Sequence, residues 1–150
     1  MIKSKLPFLI ALLVTLLPAI TTAEQTSALE GLATCKQDDP VKLVVKEIRE
    51  GKGFKSAGGN FYSPTNEIKA FGFNIKYIGL MGVDMVPGPN ITLEGKFTAV
   101  KKSILTALKT EFECGSGGCA AEVEKNLQIM VYPHPTDNDL SIVQCGYFGP

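Results

Sequence analysis

Four cysteines, Cys35, Cys114, Cys119 and Cys145, place the tightest limit on what this chain can fold into. Their meaning depends on the compartment, and the first residues address that. Lys3 and Lys5 form a positively charged start, an apolar run follows from Leu6 to Leu17, and Pro18 leads to the small residues Thr21, Thr22 and Ala23 before Glu24. This is the layout of a cleavable secretory signal. The run is too short for a membrane-spanning helix, which needs about 20 apolar residues. The expectation is a signal peptide over residues 1–23 and a single domain over 24–150, periplasmic or secreted, without stable membrane insertion after cleavage. Leu32-Ala33-Thr34-Cys35 matches a lipoprotein box by composition but lies too far beyond the apolar run to be read as one.

In an oxidising compartment an even set of cysteines pairs up. Cys114 and Cys119 flank Gly115-Ser116-Gly117-Gly118, which closes a small ring with little resistance. The preferred connectivity is therefore Cys114–Cys119 with Cys35–Cys145. In the loop-entropy picture the small ring is worth roughly 2 kcal/mol and the long closure about 4.7 kcal/mol. A four-cysteine zinc site would need two close pairs, and only one exists. A thioredoxin-type site would need Cys-x-x-Cys, which is absent.

The chain has 150 residues, 45% hydrophobic and 20% charged, which suits one folded domain and argues against disorder. Its 15 basic residues balance 15 acidic ones, and loss of Lys3 and Lys5 tips the balance to slightly acidic. That disfavours a nucleic-acid partner, which calls for a basic excess or stripe.

Asp38-Asp39-Pro40 is a helix start, Val41, Val44, Val45 and Ile48 recur at helical spacing, and Gly51 ends the run, so a helix is predicted over 40–50. Residues 51–66 read as a Gly- and Ser-rich loop with one short strand at Gly53–Ala57. From Glu67 the period is two, with Phe71, Phe73, Ile75 and Tyr77 assigned to one face. After a turn-rich stretch, Ile91, Leu93 and Phe97 form the returning strand of a hairpin. Val100, Ile104, Leu105, Leu108 and Phe112 predict a helix over 99–111, capped by Thr98. Ala121, Val123, Leu127, Ile129 and Val131 read as one half-buried strand, with Lys125 the exception on the apolar side. Pro133–Asp139 turns the chain into a closing strand, Leu140–Phe148. The predicted fold is α+β: an antiparallel sheet of about four strands in two hairpins, two helices on one face, and two disulfides.

No catalytic signature emerges, and the chain is read as a non-enzyme without cofactor or metal. His134, the sole histidine, stands between Pro133 and Pro135 in a polar turn, poor ground for a locked general base. His134, Asp137 and Asp139 lack the spacing of a calcium loop, and the two aspartates read as turn formers. Gly115 to Ala120 formally fits G-x-G-x-x-A, but a helix precedes it and a strand follows, the reverse of a dinucleotide site. Glu122 and Glu124 read as two solvated carboxylates on one strand face, not a tuned acid–base pair. Asn90-Ile91-Thr92 is an N-glycosylation sequon.

The least ordinary stretch is the connection from Leu80 to Asn90. It carries Met81, Val83, Met85 and Val86, apolar where turns are polar, and Pro87 and Pro89 stiffen it. Met81, Val83, Met85, Val86 and Pro87 are therefore candidates for contact with a partner. The function expected is that of an exported protein-binding module, an inhibitor or immunity-type protein, with an envelope or extracellular protein as partner. The alternative is a small apolar-ligand or lipid carrier with a pocket lined by Phe71, Phe73, Ile75 and Tyr77. Phe54, Phe61 and Tyr62 form a second aromatic cluster that serves as core plugs or a second patch.

Overall fold

A computed structural model describes residues 21–81 and 87–148. Residues 1–20 of the predicted signal peptide lie outside the described residues, as do Val83, Met85 and Val86.

The helix α1 (Thr22–Ala33) opens on a capping box. The Thr21 hydroxyl accepts from the Glu24 amide at 3.2 Å, and the Glu24 carboxylate accepts from the Thr21 amide at 2.9 Å. It buries Ala28, Leu29, Leu32 and Ala33. In α2 (Asp39–Glu50), Asp38 caps the Val41 amide, Pro40 occupies the first turn and Gly51 closes the helix in the left-handed region at φ 71°. Val41, Val44 and Ile48 are its buried stripe. Gly31 is where α1 meets α2: a Cβ there would lie 2.9 Å from Val41 Cγ2.

Nine strands follow among the described residues: β1 (Phe54–Gly58), β2 (Phe61–Pro64), β3 (Lys69–Ala70), β4 (Phe73–Gly79), β5 (Asn90–Glu94), β6 (Glu113–Gly115), β7 (Gly118–Glu124), β8 (Leu127–Pro133) and β9 (Leu140–Tyr147). The helix α3 (Phe97–Leu108) links β5 to β6. The sheet is antiparallel throughout, in the order β1-β2-β4-β5-β9-β8-β7-β6, with β3 added on β4. The last of the described strands is thus central, between β5 and β8.

The α+β class and the two disulfides hold, but the expected four strands and two helices undercount the fold. The predicted strand over 121–131 is a hairpin: Asn126 takes φ 68° and Ala121 faces Ile129 across it. Lys125, the residue that spoiled the alternation, lies in the turn. Residues 51–66 form the β1–β2 hairpin rather than loop with one strand. Glu113–Gly115 pairs with β7 across the cysteine ring. The helix predicted over 99–111 starts at Phe97, on Lys96 rather than Thr98, and ends at Lys109 with φ 51°.

Register sorts the side chains. Ile75 and Leu93 face each other, as do Ile78, Ile91, Val143 and Val131 in a row across four strands. These residues are buried with Val44, Ile48, Val100 and Ile104 of the helices, so this is the helix-covered face. The next row, Tyr77, Thr92, Ile142 and Tyr132, lies on the opposite face, open only in that the described helices lie on the other side, since Thr92 and Ile142 are buried there. Between Ile75 and Tyr77 the register shifts, because Lys76 is an extra residue against β5. The four residues assigned to one carrier pocket are thereby separated. Phe71 and Ile75 are core; Phe71, at φ 53°, donates its amide to Glu30 Oε1 at 2.6 Å and accepts at its carbonyl from Ser103 at 2.7 Å. Phe73 is half-buried against the core, and Tyr77 projects from the other side of the sheet.

Cys35–Cys145 ties the junction of α1 and α2 to β9 across a sequence separation of 110. Cys114–Cys119 staples β6 to β7, the two cysteines being opposite one another.

Candidate functional site

Antiparallel pairing brings the connection between β4 and β5 to the same end of the sheet as the last residues of β9. After Gly79, β4 no longer pairs with β5, yet the chain continues alongside β9. The Pro89 carbonyl accepts from the Cys145 amide at 2.9 Å, and the Pro87 carbonyl accepts from the Tyr147 amide at 3.0 Å. Proline suits these positions because β4 is no longer there to receive an N–H on the other side. Gly88 between them lies so close to β9 that a Cβ would overlap the Cys145 carbonyl oxygen. The second half of the connection is therefore a stapled strand extension. Pro87 is exposed on it.

Met81 is 61% exposed, Tyr147 49% and Phe148 40%. Met81 is fixed by its carbonyl, which accepts from the Asn90 Nδ2 at 3.2 Å. Phe148 donates its amide to the Asn126 carbonyl at 2.9 Å, and Tyr147 faces Leu127. Val123 is exposed beside them and, with Leu127, lines a cleft of about 510 Å³ against Cys35, Lys36, Gln37 and Asp38. Leu43 on α2 is the exposed large apolar residue that lies elsewhere among those described. Tyr147 and Phe148 were absorbed into a closing strand by sequence reading. Two adjacent aromatics after Gly146 break the period-two pattern, and that was the available signal.

On the open face a second cleft, of about 260 Å³, is lined by Ala57, Phe61, Tyr77, Thr92, His134, Pro135 and Ile142. The bulge at Lys76 delivers Tyr77 to it, and β2 delivers Phe61, which faces Gly79. The aromatic cluster thus divides: Phe54 is core and Tyr62 packs on it, while Phe61 lines the cleft. His134 is half-buried at its rim, its backbone amide held by the Leu140 carbonyl. The His134 Nδ1 meets the Thr136 amide and hydroxyl, each at 3.4 Å. Beside the cleft, the Tyr132 hydroxyl donates to Gln144 Oε1 at 2.6 Å within the sheet.

The remaining motifs resolve structurally. Asp137 accepts from the Asp139 amide at 3.0 Å as a turn former does, and no three His, Cys, Asp or Glu side chains among the described residues gather as a metal ion would need. Ser116-Gly117 is the two-residue tip of the β6–β7 hairpin, not the start of a helix. Glu122 and Glu124 are exposed, with a register shift between them. Asn90 is fully buried in a central strand. At the exposed end of α2, Lys52 Nζ lies 2.7 Å from Glu50 Oε2; this bond lowers the Glu50 pKa and raises that of Lys52.

Comparison with known proteins gives no match: no family model, no curated protein and no solved structure corresponds to this chain. Among the described residues no helix is long and apolar enough to cross a membrane.

Proposed function

We propose that the protein is an exported, non-catalytic binding module that docks another envelope or extracellular protein, in the manner of an inhibitor or immunity protein. The supporting observation is the gathering of exposed Met81, Tyr147 and Phe148 at one end of the sheet. Exposed aromatic and methionine side chains are the residue types enriched in protein interfaces. Their backbone is held by the Pro87 and Pro89 pairing and by nearby Cys145, so little freedom is lost on docking. Two disulfides fit an oxidising compartment.

The test compares the purified wild type with a Met81→Asp/Tyr147→Asp variant as baits for envelope extract and culture medium. A protein held by the wild type and lost by the variant, with unchanged thermal melting of the bait, is the expected result. Equal retention by both would remove this end of the sheet from the function.

A further inference from the structure

The open-face cleft is separate from the docking end, and its chemistry points to a different kind of occupant. Thr92 is only 3% exposed, and its register places its side chain on the open face, in the wall of the cleft. Among the described residues the buried polar atoms without a partner are Asn74 Oδ1 and Asn90 Oδ1; the Thr92 hydroxyl is not one of them and opens into the cleft. A hydroxyl that opens into a cleft takes its hydrogen bonds from whatever fills the cleft. The other lining residues with polar groups are His134 and Tyr77, whose ring carries a hydroxyl. The Thr136 amide can only donate, which makes Nδ1 an acceptor and leaves the neutral ring's proton on Nε2. Ala57, Phe61, Pro135, Ile142 and the ring of Tyr77 supply an apolar wall, with two aromatic rings in it. No lysine or arginine is in the lining, so a carboxylate would enter without a counter-charge. The volume of about 260 Å³ exceeds the ~150 Å³ that holds a benzene ring in an apolar protein cavity. It accommodates one aromatic ring with a short substituent.

We propose that this cleft is a binding site for a small neutral phenol, its ring against Phe61, Tyr77 and Pro135 and its hydroxyl exchanging hydrogen bonds with Thr92 and His134. A phenol both donates and accepts, which matches a Thr92 hydroxyl that can do either and a His134 ring that donates from Nε2. A single aromatic side chain of a protein partner would also fill the space. The exposed apolar residues of the lining are the small Ala57 and Pro135, too little surface to dock a protein, so the free small molecule is the favoured occupant.

The test is a titration of the purified, disulfide-bonded protein with 4-ethylphenol, ethylbenzene and benzoate, followed by the NMR signals of the His134 ring and the Thr92 methyl. Saturable shifts of both signals with 4-ethylphenol are expected, with ethylbenzene binding about three- to tenfold more weakly, as one hydrogen bond would set. Thr92→Val, which keeps the side-chain shape, should weaken 4-ethylphenol by the same factor and leave ethylbenzene unchanged. Ala57→Leu, at an exposed strand position, should abolish both by filling the cleft, and it serves if Thr92→Val does not fold. Absence of saturable shifts, an unchanged affinity in Thr92→Val, or benzoate binding as tightly as 4-ethylphenol would overturn the proposal.

Discussion

Ile75 and Tyr77 stand two positions apart on β4 and face opposite sides of the sheet, because Lys76 has no opposite residue on β5. The core receives Ile75, and the open-face cleft receives Tyr77. Inserting one alanine between Thr92 and Leu93 would give Lys76 a partner, restore a regular ladder and force either Tyr77 into the helix-covered core or Ile75 out of it. The expected outcome is loss of cooperative melting, or a fall in midpoint far beyond that of Lys76→Ala, measured by circular dichroism on oxidised protein. Equal melting of the two variants would show that the bulge does not set the register.

The two disulfides differ in what they restrain. Replacing Cys35 and Cys145 by alanine frees a closure of 110 positions, and replacing Cys114 and Cys119 frees one of 5. In urea unfolding the first change should cost about 4–5 kcal/mol and the second about 2 kcal/mol or less. A larger loss from the hairpin pair would contradict this order.

Gly31→Ala tests the contact between α1 and α2. Alanine is the better helix former by about 1 kcal/mol, so an unobstructed helix would gain. Here the new methyl group meets Val41 Cγ2 at 2.9 Å, and Lys36 at 3.4 Å. A net loss of about 1–3 kcal/mol is expected. Val41→Ala in the same chain should return part of it, measured as a positive coupling in a double-mutant cycle.

The sequon at Asn90 should stay unmodified in folded protein. Its side chain is fully enclosed and bonded to the Met81 carbonyl, leaving no room for a glycan. Secreted from a host that attaches glycans, the soluble, disulfide-bonded fraction should show the unmodified mass. A glycan found at Asn90 in natively folded material would mean that this region of β5 is open in solution.

Part of the fold was readable from residues with strong local chemistry. Asp38, Pro40 and Gly51 punctuate α2, and its ends follow from capping alone. By contrast, α1 buries Ala28 and Ala33 beside Leu29 and Leu32, and small residues give little periodic contrast. The β7–β8 hairpin was hidden because residues facing each other across a hairpin share a sheet face. Ala121 and Ile129 do so, and the apolar alternation therefore stayed in phase through the turn. Met81 and Pro87 stood out as apolar residues in a connection. The cleft did not, because it depends on one unpaired residue, Lys76, and on strands far apart in sequence.

The placement of β9 has a consequence for the order of events. Pairing joins β1, β2, β4 and β5 on one side and β6, β7 and β8 on the other, and only β9 bridges them. Until its residues arrive, each half presents a bare strand edge and half a core, and the Cys35 thiol has no Cys145 to meet. Such distant pairings make assembly slow. Closure of the sheet is thus a single late event: the two halves become one structure only when Leu140–Tyr147 inserts between them.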